Sequence, residues 1–215
     1  MIAAIFGNST LNKNVVKECK DKGYYLVACD GGYKYFLNEK ISPNLFVGDF
    51  DTFNNEEEVS ADVIIKLNKI KDDTDTIYAC KHLIELGYDE FHLYGCLGGK
   101  IEHTIANIQF LSYLNERNIK CYLHDENDEN ILFLTSKDII FKNNMFGNIS
   151  IFSYNKESII SIKNLQYELD NYKLTNSFPL GVSNSFIGKE AKIEIKEGKI
   201  LVVVSKTFLN KEEQK

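Results

Sequence analysis

Tryptophan is absent from the 215 residues, prolines number two, and no apolar stretch approaches the roughly 20 residues a membrane-crossing helix requires. The amino-terminal Met1-Ile2-Ala3-Ala4-Ile5-Phe6-Gly7 has no basic stretch ahead of its brief apolar run. It therefore reads as a buried first strand and not as a secretory signal, and a cytoplasmic location is expected. Positive charge is in deficit: 25 Lys and Arg stand against 31 Asp and Glu, a formal net charge of −6. That argues against a nucleic-acid partner, which needs a clustered basic face. The five cysteines, Cys19, Cys29, Cys80, Cys96 and Cys121, are scattered and no two stand at zinc-ligand spacing, so they are expected as buried thiols. Neither an internal repeat nor a low-complexity tract is found. A hydrophobic fraction of 44% excludes a disordered chain and suffices for one large domain or two small ones.

The first half alternates between two patterns. Short apolar runs at Ile2–Phe6, Tyr24–Cys29, Leu45–Val47, Val63–Lys66, Phe91–Tyr94 and Lys120–His124 predict strands. Leu11–Lys22, Gly32–Asn38, Thr74–Leu86 and Glu102–Asn118 are compatible with helices, the last with Ile101, Ile105, Ile108 and Leu111 as its buried face. Strand–helix alternation implies βαβ units and a mainly parallel sheet. Past His124 the acidic Asp125–Asn130 run reads as a solvated linker, without the glycine and terminal glutamate of a calcium loop. Thereafter strands follow one another: Ile131–Leu134, Ile139–Phe141, Ile149–Tyr154, Ser158–Ile162, Ala191–Lys196 and Ile200–Val204, the last two flanking a hairpin turn at Glu197-Gly198. The expected architecture is a Rossmann-like α/β domain over 1–124 followed by an antiparallel β-sandwich over 125–215.

Four clusters carry the chemistry. Asp30-Gly31-Gly32 ends an apolar run, and Gly48-Asp49-Phe50-Asp51-Thr52 ends another. Asp72-Asp73-Thr74-Asp75-Thr76 opens a helix, and Gly95-Cys96-Leu97-Gly98-Gly99-Lys100 precedes one. In an open α/β sheet such junctions line one edge, so distant residues build one site. Asp49 and Asp51, two residues apart in an extended segment, point the same way and suit chelation of a hard cation. The Asp72–Asp75 run exceeds what a helix cap needs, and its surplus negative charge calls for a cation or hydrogen-bond donors. Glycines ahead of a helix let phosphate oxygens reach free backbone N–H groups, with Lys100 adding a charge. His103 and Asn107 lie one helical turn apart on one face. Together these point to a metal-dependent enzyme acting on a phosphorylated ligand.

The order of the clusters, ending in Gly98-Gly99-Lys100-Ile101-Glu102-His103-Thr104 and Asn107, strongly resembles the thiamine pyrophosphokinase family. The stretches Leu165–Leu169 and Gly181–Phe186 look like that family's C-terminal signature, so the likeness spans roughly residues 1 to 205. Two departures stand out: Lys100 where the family usually has arginine, and Glu102 where it has aspartate. Lysine keeps the charge without the bidentate fork.

The resemblance implies transfer of a diphosphoryl group from ATP to thiamine with Mg²⁺, giving thiamine diphosphate and AMP. Carried over by position, Asp49, Asp51 and Asp75 are the metal-binding and catalytic residues, with Asp51 or Asp75 accepting the hydroxyl proton. Asp30, Asp72, Thr74, Gly98, Gly99 and Lys100 hold the nucleotide. Ser183 and Asn184 bind thiamine, and Phe186 substitutes for the tryptophan that animal and yeast members stack on it. The resemblance also implies a homodimer with composite active sites. A diphosphokinase acting on a hydroxymethylpterin, or a binding protein without turnover, are the rival readings.

Overall fold

Strand β1 (Ile2–Phe6) is central in its sheet because both of its edges are used: it pairs in parallel with β2 (Tyr25–Cys29) on one side and with β5 (Glu90–Tyr94) on the other. Ala3, Ala4, Ile5 and Phe6 are wholly buried, as the continuous apolar run requires of a strand covered on both faces. The computed structural model describes residues 1–50, 59–68 and 72–209, and the chain divides into two compact units, Met1–Asp128 and a second that begins at Glu129.

In the first unit β3 (Leu45–Gly48) and β4 (Val63–Lys66) extend the sheet beyond β2, and β6 (Lys120–His124) extends it beyond β5. The parallel order is thus β6-β5-β1-β2-β3-β4, and the direction of winding reverses between β1 and β5. In open α/β sheets such a reversal opens a crevice at the carboxyl ends of the strands. The helices are α1 (Val16–Asp21), α2 (Tyr33–Glu39), α3 (Asp75–Glu85) and α4 (Ile101–Asn115). Phe6 meets Phe36 edge-on at 5.0 Å and stacks on Tyr94 at 5.1 Å. Each such buried aromatic contributes about 1.5–3 kcal/mol over an exposed one.

Three expectations change in this unit. Helix α1 begins at Val16, not Leu11, because Glu39 of α2 accepts from the Val16 and Lys17 amides and caps it there. The buried face of α4 is Asn107, Phe110, Leu111 and Leu114, while Ile101 and Ile105 are 74% and 52% exposed. The helix is apolar on more than one side, and Asn107 turns inward because its amide donates to the Cys96 carbonyl at 2.8 Å. The run after His124 is not simply solvated. Asp128 is 1% exposed and lies 2.7 Å from His124 Nδ1, whose Nε2 is 2.9 Å from His92 Nδ1. All five cysteines are free and buried, as expected.

In the second unit every strand is antiparallel to its neighbours. β12 (Gly181–Ser185), β9 (Asn148–Ser153), β14 (Ile200–Ser205) and β7 (Asn130–Thr135) pair in that order. A separate sheet runs β11 (Leu169–Thr175), β10 (Glu157–Lys163), β13 (Ala191–Glu197) and β8 (Ile139–Phe141). Ile200, Val202 and Val204 alternate inward, as do Ala191 and Ile193. The expected hairpin at Glu197-Gly198 is not one, since β13 pairs with β10 and β8 whereas β14 pairs with β7 and β9. Gly198, at φ +85°, instead passes the chain from one sheet to the other. Strands β11 and β12 carry few apolar residues, so alternation did not announce them. Among the described residues no helix is long and apolar enough to cross a membrane.

Candidate functional site

The carboxyl ends of β1, β2, β3 and β5 open into a cavity of about 470 Å³. Each strand delivers a different loop to it. After β2, Asp30 turns in a left-handed conformation, φ 42°, and is 5% exposed. It packs on Gly48, where an added Cβ would stand 3.0 Å from the Asp30 Cβ, and so lies beside Asp49 at the end of β3. Gly32 approaches β1 so closely that a Cβ there would sit 2.0 Å from the Phe6 carbonyl oxygen.

Helix α3 points its first turn into the same cavity. Thr74 caps it, its hydroxyl accepting from the Ile77 amide at 3.3 Å, and Asp72, Asp73 and Asp75 flank the cap. Asp73 is drawn aside by Lys81, with Nζ at 2.8 and 2.9 Å from its two oxygens. The glycine-rich loop after β5 closes the far side with Gly99 and Lys100, and His103 of α4 joins the lining. It is knitted in place by Ser9 and Thr104, whose hydroxyls donate to the Gly98 carbonyl at 2.9 and 3.1 Å. The floor holds Cys29, Thr76 and Cys96. Burial pushes both thiols up, Cys96 to about 11, which keeps them protonated and unreactive.

Of the residues expected in the site, Asp30, Asp49, Asp72, Thr74, Asp75, Gly99 and Lys100 line this one cavity, with Gly98 adjacent in the loop. Asp51 lies outside the described residues. Five aspartates face one lysine along the described lining. Carboxylate oxygens are the donors that a hard divalent cation prefers, so the donor set fits Mg²⁺ by its chemistry. Among the described residues no three such side chains close on a single point.

A family model described as "Thiamin pyrophosphokinase, catalytic domain" matches residues 16–123, and one for the "vitamin B1 binding domain" of that enzyme matches residues 137–200. The chain belongs to the thiamin pyrophosphokinase family. It is 26% identical over 186 residues to the thiamine pyrophosphokinase of Bacillus subtilis, covering 84% of this chain and 86% of that protein. The crystal structure of the Bacillus subtilis enzyme superposes with a TM-score of 0.81 at 22% identity, over 95% of this chain and 98% of that one. The yeast enzyme superposes with a TM-score of 0.75 at 16% identity, over 95% and 85%. Both likenesses speak to the fold, which this member of the thiamin pyrophosphokinase family shares.

Within the second unit the three residues expected to meet thiamine are built differently from one another. Ser183 is exposed at φ 57°, its amide donating to the Ser150 hydroxyl at 3.0 Å. Phe186 is half-buried and edge-on to Phe141 at 5.3 Å. Asn184 is 6% exposed and its amide group is engaged within the fold: Oδ1 accepts from the Tyr167 and Ser185 amides, and Nδ2 donates to the Tyr167 carbonyl at 2.7 Å. Asn184→Ala should therefore lower stability by about 1–2 kcal/mol, since it leaves partly buried backbone groups without their partner. A denaturant midpoint equal to the parent's would refute this.

Sequence reasoning missed the Gly7-Asn8-Ser9 loop, which lines the cavity from β1. Its signal was the turn-forming Gly-Asn-Ser directly after an apolar run.

Proposed function

We propose that the cavity of the first unit binds ATP and is where its diphosphoryl group is transferred to thiamine. Membership of the thiamin pyrophosphokinase family supplies the reaction, and the convergence of Asp30, Asp49, Asp72, Thr74, Asp75, Gly99 and Lys100 on one cavity supports the location. The thiamine hydroxyl oxygen forms a bond to the β-phosphorus while the bond from that phosphorus to the α-phosphate oxygen breaks. AMP leaves, and Asp51 or Asp75 takes the hydroxyl proton. Asp49, Asp51 and Asp75 would hold Mg²⁺, which when bound neutralises phosphate charge. Lys100 and the backbone N–H groups around Gly98 and Gly99 hold phosphate oxygens, and Asp30, Asp72 and Thr74 orient the nucleotide. The match of residues 137–200 to a vitamin B1 binding domain favours thiamine over a pterin acceptor.

The finer architecture in this reading is a Rossmann-like unit over 1–124 followed by a thiamine-binding, dimerising β-sandwich over 125–215, in a cytoplasmic homodimer. The decisive experiment incubates the protein with ATP, Mg²⁺ and either thiamine or hydroxymethylpterin and weighs the products. Thiamine diphosphate with AMP is expected. Formation of ADP with thiamine monophosphate, or turnover of the pterin alone, would sink the reading. Composite sites are tested by mixing Asp75→Asn with Ser183→Arg, which places a cation against cationic thiamine. After full subunit exchange about a quarter of parental activity should return, since half the dimers carry one intact site. No recovery despite exchange would mean that each site is built within one chain.

A further inference from the structure

The winding reversal between β1 and β5 puts two loops at the crevice, and the family motifs assign a role to only one of them. The other, Gly7-Asn8-Ser9, is held from three directions. The Ser9 amide donates to the Gly95 carbonyl at 2.9 Å, the Tyr35 hydroxyl donates to the Ser9 carbonyl, and Lys34 Nζ lies 2.7 Å from the Asn8 carbonyl oxygen and 2.9 Å from Asn8 Oδ1. An ammonium group offers hydrogens and no lone pair, so the Asn8 side-chain atom facing it has to be oxygen. That removes the usual ambiguity between an amide's two ends and turns the NH₂ group away from Lys34. The Asn8 amide lies against the bare Cα of Gly31, where an added Cβ would stand 2.5 Å from Cγ and Oδ1 and 2.8 Å from Nδ2. Asn8 is exposed and lines the cavity, and among the described residues Nδ2 meets no acceptor, so the group is open to solvent or to whatever enters the cavity.

We infer that Asn8 is a phosphate-binding residue, donating from Nδ2 to an oxygen of the ATP phosphate chain, with Lys34 as the positioning residue that fixes its amide. The inference rests on the nucleotide reading above. Along the described lining, Lys100 is the one cationic side chain against five aspartates, so a polyanion entering this cavity needs neutral donors as well. A donor set on the β1 loop meets the phosphates from outside the acidic cluster. The Lys34 ammonium, drawn to Oδ1, withdraws electron density through the amide and strengthens its N–H groups as donors. Burial lowers the pKa of Lys34, and its two oxygen contacts stand in for lost water.

The discriminating variant is Asn8→Asp. It keeps the shape and the oxygen facing Lys34 while replacing the donor with an acceptor and adding a negative charge, and Asn8→Ala removes the donor without adding that charge. In calorimetric titration with α,β-methylene-ATP and Mg²⁺, Asn8→Asp should bind about tenfold more weakly or worse, and Asn8→Ala should also bind more weakly. Adenosine, which carries no phosphate, should bind both variants within about twofold of the parent. Lys34→Met should raise the KM for ATP about three- to tenfold with little change in kcat, and Lys34→Arg should restore it. If Asn8→Ala binds the analogue as the parent does, whatever the Asn8→Asp variant does through its added charge, the amide is only a clamp on Lys34 and the inference is overturned. Adenosine affinity falling as far as that of the analogue would overturn the phosphate assignment. A parent that binds no ATP analogue at all would remove the nucleotide reading and this inference with it.

Discussion

Asp49→Asn and Asp75→Asn should each lower the rate of AMP release by roughly 10²- to 10³-fold, with the fold intact. Both side chains line the cavity, at the end of β3 and in the first turn of α3, where they face the position proposed for the transferred phosphates. Asparagine preserves shape and removes charge, so what is lost is the electrostatic part of binding and transfer. Stability should change little. Asp75 gives up a favourable interaction with the α3 dipole, worth about 0.3–1 kcal/mol. Against that, one of five aspartates crowded into the cavity no longer repels its neighbours. Asp73→Asn is the internal control, because Lys81 already neutralises Asp73 and holds it to one side. It should retain turnover within about tenfold of the parent, a difference of some 1.4 kcal/mol. Equal turnover in the Asp49 and Asp75 variants and the parent would remove these carboxylates from the mechanism.

Gly32→Ala is expected to prevent stable folding or to cost more than about 3 kcal/mol, from a single added methyl group. Backbone conformation is not the reason, since Gly32 sits at φ −64° and ψ −17°, which any residue adopts. The obstacle is the Phe6 carbonyl, 2.0 Å from where the methyl would lie, on a strand hydrogen-bonded on both edges. Neither partner has room to yield, because Phe6 is wholly buried. Gly98→Ala provides the contrast. Its φ of 76° disfavours a side chain, yet nothing stands within 4 Å, so it should cost only about 1–2 kcal/mol. Denaturant midpoints compare the two directly. A Gly32→Ala protein as stable as the Gly98→Ala protein would show that the β1–α2 approach is looser than described.

The parallel sheet was legible because its inner strands are buried on both faces and leave continuous apolar runs such as Ile2–Phe6 and Leu45–Val47. The site was legible because its strand ends carry more aspartates than turns and helix caps need, and that excess marks chemistry. Three features escaped because a contact outside their own sequence pattern decides each of them. Helix α4 carries apolar residues on more than one side, and the Asn107–Cys96 hydrogen bond selects the inward face. Ala191–Glu197 and Ile200–Ser205 look like the arms of a hairpin, but pairing with β10 and β9 separates them into two sheets. Asp128 sits in an acidic run that reads as solvent-facing until His124 is seen beside it. The Gly7–Ser9 loop escaped for another reason: its polar groups are uncharged, so they leave no charge pattern.

The central position of β1 bears on how the chain is made. Its residues leave the ribosome before the rest of the sheet, yet β5, the partner on one edge, begins at Glu90, 84 residues after Phe6. At about 5–20 residues per second that interval lasts roughly 4 to 17 seconds. Through it β1 can pair only with β2, and the backbone amides and carbonyls along its other edge stay open to any extended neighbour. The nascent chain is therefore most exposed to aggregation and to chaperone capture before residue 90 has emerged. A ribosome-bound chain halted ahead of β5 would be expected to recruit such factors, and one halted beyond β6 would not.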